Sequence, residues 1–240
     1  MDRQNPYFSQ VSLLVRVLPI VGKASCFTLK GGTAINLFYR KMPRLSVDID
    51  LVYMPLKDRT DSLSEITSEM KRIASGIKEI IPDVKIQYSF LNQSETIVRI
   101  LIEWERTIIK VEVSPVLRGT VFPTSLRRIS TVPESIFGFA EVPVVSFEDL
   151  FAGKIVAALD RQHPRDLFDI KYLLENEGIT SRLKESFIVY LISHNRKILE
   201  ILSALEGRRN IFVINSITYF LFFRGTEEYF KDYYKKIIRN

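Results

Sequence analysis

Within the twenty-two residues from Lys30 to Leu51 the chain sets a glycine pair, Gly31 and Gly32, ahead of two aspartates spaced i, i+2, Asp48 and Asp50. β-Favouring residues precede the glycines at Phe27 to Leu29. Helical character follows from Thr33 to Arg40, with Ala34, Leu37 and Phe38 on one side, and Ser46 to Tyr53 alternates as a strand does. The local order is strand, turn, helix, strand. Val47, Ile49 and Leu51 give the second strand an apolar face, so Asp48 and Asp50 share the other, about 7 Å apart along the backbone. Two carboxylates so placed can hold one divalent cation, which takes oxygen ligands and completes its shell with substrate phosphates. Gly31 and Gly32 bring backbone N–H groups and the positive end of a helix dipole to where an anion can sit, with the Thr33 hydroxyl beside them. The chemistry indicated is metal-assisted phosphoryl or nucleotidyl transfer.

A chain of 240 residues, 46 % hydrophobic and 26 % charged, with no low-complexity tract, can bury a full core in one large domain or two small ones. Its net charge of +6 favours a polyanionic partner, a nucleic acid or nucleotide. The single cysteine, Cys26, excludes an internal disulfide, and the first thirty residues lack the pattern of a secretory signal. Cytoplasmic residence is the expectation. Apolar runs such as residues 211–223 are broken by Asn215 and Thr218 and are too short to span a bilayer, so no membrane segment is expected.

Apolar spacing predicts an opening helix over residues 6–22 and a long amphipathic helix from Ser62 to Ile81, carried by Leu63, Ile66, Met70, Ile73 and Ile77 and stopped by Pro82. Three β-rich runs follow at 84–91, 96–104 and 107–116, separated by short polar turns, as in an antiparallel meander. From Pro143 the texture turns helical, at Phe147 to Leu159, Pro164 to Glu175 and Thr180 to Ser193. The expected fold class is therefore α+β. A mixed-sheet catalytic domain would span residues 1–143 and a helical domain 144–240, with any site in the cleft between them. A two-metal centre wants a third carboxylate from a neighbouring strand, and Glu112 is the best candidate. Lys110 shares its face while Ile109, Val111 and Val113 point the other way, a pattern that a plain solvated face would also show.

The run Lys30-Gly31-Gly32-Thr33-Ala34-Ile35-Asn36-Leu37, followed by Arg44-Leu45-Ser46-Val47-Asp48-Ile49-Asp50-Leu51, resembles the signature of the AbiEii/AbiGii toxin family. That family is a branch of the DNA polymerase β-like nucleotidyltransferases. The gap from Gly32 to Asp48 is longer than in many superfamily members, while Arg44 and Ser46 match the closer family. The likeness extends over roughly residues 27–175, and the last sixty-five residues carry no matching motif. It implies a nucleotidyltransferase that moves a nucleoside monophosphate from a nucleoside triphosphate, with Mg²⁺ or Mn²⁺ held by Asp48, Asp50 and Glu112. Gly31, Gly32, Thr33, Arg44, Ser46 and a lysine at position 154 would bind the nucleotide. It also implies the toxin of a toxin–antitoxin or abortive-infection system, with a cognate antitoxin and an RNA such as tRNA as acceptor.

In the helical half, Phe147, Leu150, Phe151, Lys154, Ile155 and Ala158 fall on one stripe, so Lys154 faces inward and must either snorkel to solvent or meet an anion. Pro164 suits the first turn of the next helix, and Asp166 and Asp169 share one of its faces. Arg165 and Asp169 are also spaced for an ordinary i, i+4 pair. The family resemblance points instead to an Arg-Asp-x-x-Asp element beside the cleft, where Asp166 or Asp169 orients Lys154 or acts as a base. His163 and His194 have no metal-ligand spacing and read as surface residues, Cys26 as packed, and Trp104 as a strand-face residue. From Gly207 onward seven Lys/Arg meet three Asp/Glu, with nine Phe/Tyr interleaved, a pattern for core or for an RNA-cradling surface. Two rival readings remain beside nucleotidyl transfer: a metal-dependent nuclease using the same acids, and a non-enzymatic RNA-binding or regulatory module.

Overall fold

The computed structural model of the chain describes residues 6–92, 94–197 and 200–201. Two units divide it, Met1–Leu150 and Phe151–Asn240. The first begins with helix α1 (Pro6–Val21) and strand β1 (Phe27–Lys30), then a short α2 (Gly31–Thr33) that widens into a π-helical turn (Ala34–Tyr39), and strand β2 (Asp48–Tyr53). Helix α3 (Arg59–Ile80) precedes strands β3 (Lys85–Phe90), β4 (Ile97–Trp104), β5 (Thr107–Arg118) and β6 (Ser125–Arg128), then helix α4 (Thr131–Phe137) and strand β7 (Glu141–Val144). The strand, turn, helix, strand order holds from residue 27 to residue 53.

The strands form one mixed sheet in the order β3-β4-β5-β2-β1-β7-β6. β3, β4 and β5 make the antiparallel meander expected of three successive β-rich runs. β2 then lies parallel to β5 and β1 parallel to β7, so an α+β class with a mixed sheet is what the chain adopts. Side-chain alternation explains which face is covered. Ile49 and Leu51 of β2, Ile100 and Ile102 of β4, and Ile109, Val111 and Val113 of β5 are all buried, and α1 packs against β5 while α3 packs against β4. Ile66, Met70, Ile73 and Ile77 form the buried stripe of α3. That helix starts before its apolar spacing does, because Asp58 caps it by accepting the Asp61 N–H at 2.9 Å.

No element is predicted between residue 116 and Pro143, yet residues 125–144 supply β6, α4 and β7, and β7 fills the slot beside β1. Asp149, 1 % exposed, accepts the N–H groups of Val121 and Phe122 at 2.8 and 2.9 Å and the Ser146 hydroxyl at 2.6 Å. It fastens the loop after β5 to the chain that follows β7.

Helix α5 (Phe147–Arg161) begins in the first unit and continues into the second, which adds α6 (Pro164–Asn176) and α7 (Ser181–Ile192). Caps fix their starts. Pro164 occupies the first turn of α6, where His163 Nδ1 accepts the Arg165 N–H, and Thr180 accepts the Leu183 N–H ahead of α7. Phe151, Ile155, Ala158, Ile170, Leu173, Leu183 and Phe187 are buried at helical spacing. α5 and α7 approach closely at Gly153, where an added Cβ would stand 3.3 Å from the Tyr190 ring. The basic, aromatic stretch from Gly207 lies outside the described residues. Among the described residues no helix is long and apolar enough to cross a membrane.

Candidate active site

Two rows of side chains cross the polar face of the sheet, and strand register sets their order. In the first, Lys30, Asp50, Glu112 and Arg99 stand opposite one another across β1, β2, β5 and β4. In the second, two residues along, Asp48 faces Lys110, which faces Leu101. Period-two alternation therefore sets all three acids on one face, with Lys30 and Arg99 at the two ends of the first row. Lys110 Nζ lies 3.7 Å from Asp48 Oδ2 and 3.4 Å from Glu112 Oε2. Arg99 donates to both oxygens of Glu112, from Nε to Oε2 and from Nη2 to Oε1, each at 3.2 Å. These side chains are 32–40 % exposed, so a ligand can reach them.

The charges tune one another. Burial pushes the Glu112 carboxyl up, but the Arg99 hydrogen bonds and charge, joined by Lys110, outweigh it and hold the group below its usual value. Desolvation pushes the Lys30 ammonium down, against the opposing pull of Asp50 and Glu112. Lys30 is thus a hemmed-in cation at the end of the first row, on the strand that delivers the glycine turn.

That turn is built tightly against the acids. Gly31 has φ +76°, the left-handed region that glycine adopts freely, and a Cβ there would stand 2.3 Å from Asp50 Oδ2 and 2.9 Å from Asp50 Cβ. Only hydrogen fits. At Gly32 a Cβ would meet Ser46 Oγ at 2.7 Å and Arg44 Nη2 at 2.9 Å, so the structure brings Arg44 and Ser46 to the second glycine. Asn36, fully buried, locks the arrangement: its Nδ2 donates to the Gly32 carbonyl at 2.8 Å and its Oδ1 accepts the Arg44 N–H at 3.3 Å. Thr33 is also fully buried, and its hydroxyl, expected beside an anion, donates instead to the Asp48 carbonyl at 2.5 Å, with Ser46 Oγ 3.3 Å away. From the third residue of α2 the hydroxyl reaches the facing strand. It fixes the backbone of Asp48.

The donor chemistry of this face fits a hard divalent cation at Asp48 and Asp50: two carboxylates on one strand face, beside a glycine position that a Cβ would fill. Glu112 sits opposite Asp50, yet both its oxygens are engaged by Arg99 and one also by Lys110. Among the described residues no three His, Cys, Asp or Glu side chains are drawn together as a ready-made metal cluster.

The helical unit holds a second charged group. Lys154 is 8 % exposed and does not snorkel: its ammonium donates to Asp166 Oδ1 at 3.0 Å and lies 3.3 Å from Asp169 Oδ2. Both aspartates, three residues apart on α6, therefore hold the lysine, while Arg165 is exposed on the same helix. Arg161 adds hydrogen bonds to Asp166 at 2.6 and 3.1 Å. Burial pushes the Asp166 carboxyl up, but the Arg161 hydrogen bond and the Lys154 charge and hydrogen bond hold it below the usual value.

Lys30, Arg99 and Asn36 carry no signal in the sequence that marks them as part of the site. Continuing the alternation of the 96–104 run would have put Arg99 on a face with Leu101 and Glu103, but its meeting with Glu112 depends on strand register. Cys26 is buried, and that burial pushes its thiol up to about 12. Trp104 ends β4 beneath the Arg16 guanidinium, at 5.1 Å. His163 is exposed and His194 half-buried, its Nε2 3.9 Å from Asp160.

Comparison with known proteins adds to this geometry. A family model described as nucleotidyl transferase AbiEii toxin, type IV TA system, matches residues 12–236, well past the last motif legible in the sequence. No individually curated protein matches the chain by sequence. Among solved structures the chain is similar to MenT4, a nucleotidyltransferase toxin from Mycobacterium tuberculosis H37Rv, with a TM-score of 0.59 and 14 % identity over 85 % of this chain and 73 % of that one. At that identity the likeness is one of fold.

Proposed function

Since the chain belongs to the AbiEii family of nucleotidyltransferase toxins of type IV toxin–antitoxin systems, we propose that it transfers a nucleoside monophosphate from a nucleoside triphosphate to RNA, tRNA foremost. In this reading a divalent cation, Mg²⁺ or Mn²⁺, binds at Asp48 and Asp50. The observation that supports it best is the contact between the glycine turn and the acid strand: a Cβ on Gly31 would lie 2.3 Å from Asp50 Oδ2. A phosphate drawn to the Gly31 and Gly32 backbone therefore arrives beside a carboxylate suited to a metal.

When bound, the cation neutralises triphosphate charge and makes the acceptor hydroxyl a better nucleophile. The chain's own residues do the positioning. The N–H groups of Gly31 and Gly32 and the guanidinium of Arg44 orient the phosphates, and Lys30 adds positive charge on the Asp50 row. Asn36 holds the turn and Thr33 holds Asp48, so the phosphate site and the acids keep one geometry through the reaction. The acceptor oxygen bonds to the α-phosphorus as the bond to pyrophosphate breaks. The net charge of +6 suits a polyanionic acceptor, and a type IV system pairs the toxin with a cognate antitoxin.

Incubation of the full chain with labelled nucleoside triphosphates, Mg²⁺ and bulk RNA tests the reading. Label should join RNA of undiminished length, and Asp50→Ala should abolish it. Lys154→Met, if folded and inactive, assigns that ammonium to the reaction as well. Shortened RNA without label would mean a nuclease. RNA binding that survives Asp48→Ala, with no labelling by the parent, would mean a binding module.

A further inference from the structure

The acid face already contains a cation fixed between two carboxylates. Lys110 rises from β5 opposite Asp48 and two residues from Glu112, and its ammonium reaches both acids, 3.7 Å from Asp48 Oδ2 and 3.4 Å from Glu112 Oε2. In two-metal sites for phosphoryl transfer the ions stand about 3.5–4 Å apart. A bridging ion between Asp48 and Glu112 would need the space where the ammonium stands, and two cations within about 4 Å repel strongly away from bulk water. Arg99 takes one position on each Glu112 oxygen at 3.2 Å, and Lys110 takes the remaining side of Oε2, so the ammonium stands where a second ion would reach this carboxylate. β4 supplies that guanidinium in the same row as Asp50, so the pairing is built into the sheet register.

We propose that Lys110 is the resident cation of the acid face, standing in the place of a second divalent ion, so that the site takes one divalent cation, at Asp48 and Asp50. This rests on the metal-dependent transfer proposed above. Arg99 and Lys110 together turn Glu112 from a metal ligand into an anchor. It holds the ammonium at a fixed distance from Asp48, and Lys110 is therefore a positioning residue for the reaction. A tethered ammonium also cannot be chelated away, so charge compensation at this corner of the site does not vary with metal supply.

Metal stoichiometry separates this from a two-ion site. The full chain is titrated with MnCl2 and free Mn²⁺ is read by electron paramagnetic resonance, with folding checked by circular dichroism. Asp50→Asn identifies the ions that belong to the acid face. One Mn²⁺ per chain on that face in the parent and in Lys110→Arg, rising to two in Lys110→Gln, is the expected result. Two ions in the parent would overturn the proposal while leaving metal-dependent transfer intact. One ion in both the parent and Lys110→Gln would show that the ammonium does not exclude a second and would equally overturn it. No ion in any variant would remove the proposal together with the metal-dependent reading.

Discussion

Replacing Gly31 with alanine puts the junction between glycine turn and acid strand to a quantitative test. The backbone at Gly31 has φ +76°, and an L-residue forced into that region gives up about 1–2 kcal/mol. The new methyl would stand 2.3 Å from Asp50 Oδ2, 3.0 Å from Asp50 Cγ and 2.9 Å from Asp50 Cβ. Rotation about χ2 relieves the first contact and a departure from the χ1 rotamer the second, at about 0.5–1.5 kcal/mol, while the Cβ contact is relieved only by a shift of the backbone that carries Asp50. The lower freedom of alanine in the unfolded chain returns about 0.4–1 kcal/mol, which leaves a net loss of about 2 kcal/mol. For a chain of this size that is a fall in Tm of roughly 4–8 °C, read by circular dichroism. Since the residue that moves is Asp50, RNA labelling should fall further than stability does, by about 100-fold for a displacement of an ångström. In an Asp50→Ala background, which lacks Oδ2 and Cγ, the same substitution should cost about 1 kcal/mol less. A Tm within about 1 °C of the parent, or an equal cost with and without the Asp50 carboxylate, would refute the steric argument.

Two further substitutions probe the supports. Asp166→Asn removes the charge that faces Lys154 at 3.0 Å in a buried setting and should cost about 3 kcal/mol in urea unfolding, the low end for a broken buried pair because Asp169 remains. The folded carboxyl titrates below its ordinary value, so its contribution is complete above the unfolded value of about 3.9 and is lost as pH falls through the lower folded value. The stability gap between parent and variant should therefore hold steady from neutral pH down to about pH 5 and narrow only below about pH 4; a gap that closes nearer neutrality contradicts the assignment. Asn36→Ala strands the Gly32 carbonyl and the Arg44 N–H in a buried site and should cost about 1–3 kcal/mol, with reduced labelling; an unchanged melting curve would mean that the turn needs no brace.

Much of the acid face was legible because a strand has period two. Asp48 and Asp50 against Ile49 and Leu51, or Glu112 against Val111 and Val113, declare their faces in the order of the letters. The inward lysine was legible for the same kind of reason: helical spacing places Lys154 among Phe151, Ile155 and Ala158. What alternation does not specify is which strand lies next to which, and at what register. Lys30 meets Asp50, and Arg99 meets Glu112, only through pairings made on folding. Glycine neighbours point the Thr33 hydroxyl toward an anion in the sequence, while in the fold it meets the buried carbonyl of Asp48. β6 and β7, four residues each, are too short to show a period, and Pro143 within β7 reads more naturally as a break. Asp58, by contrast, was a readable helix cap that apolar spacing alone passed over.

The pairing of Leu29 with Val144 has a consequence for how the toxin comes into being. β1 carries the glycine turn, and its second edge stays open until β7 has been made. At about 5–20 residues per second, translation separates the two strands by roughly 6–23 s. By the close of that interval the nascent chain holds Asp48, Asp50 and Glu112 but no finished sheet to present them on. A chain cut short before Glu141 ends with its glycine strand at an unprotected edge.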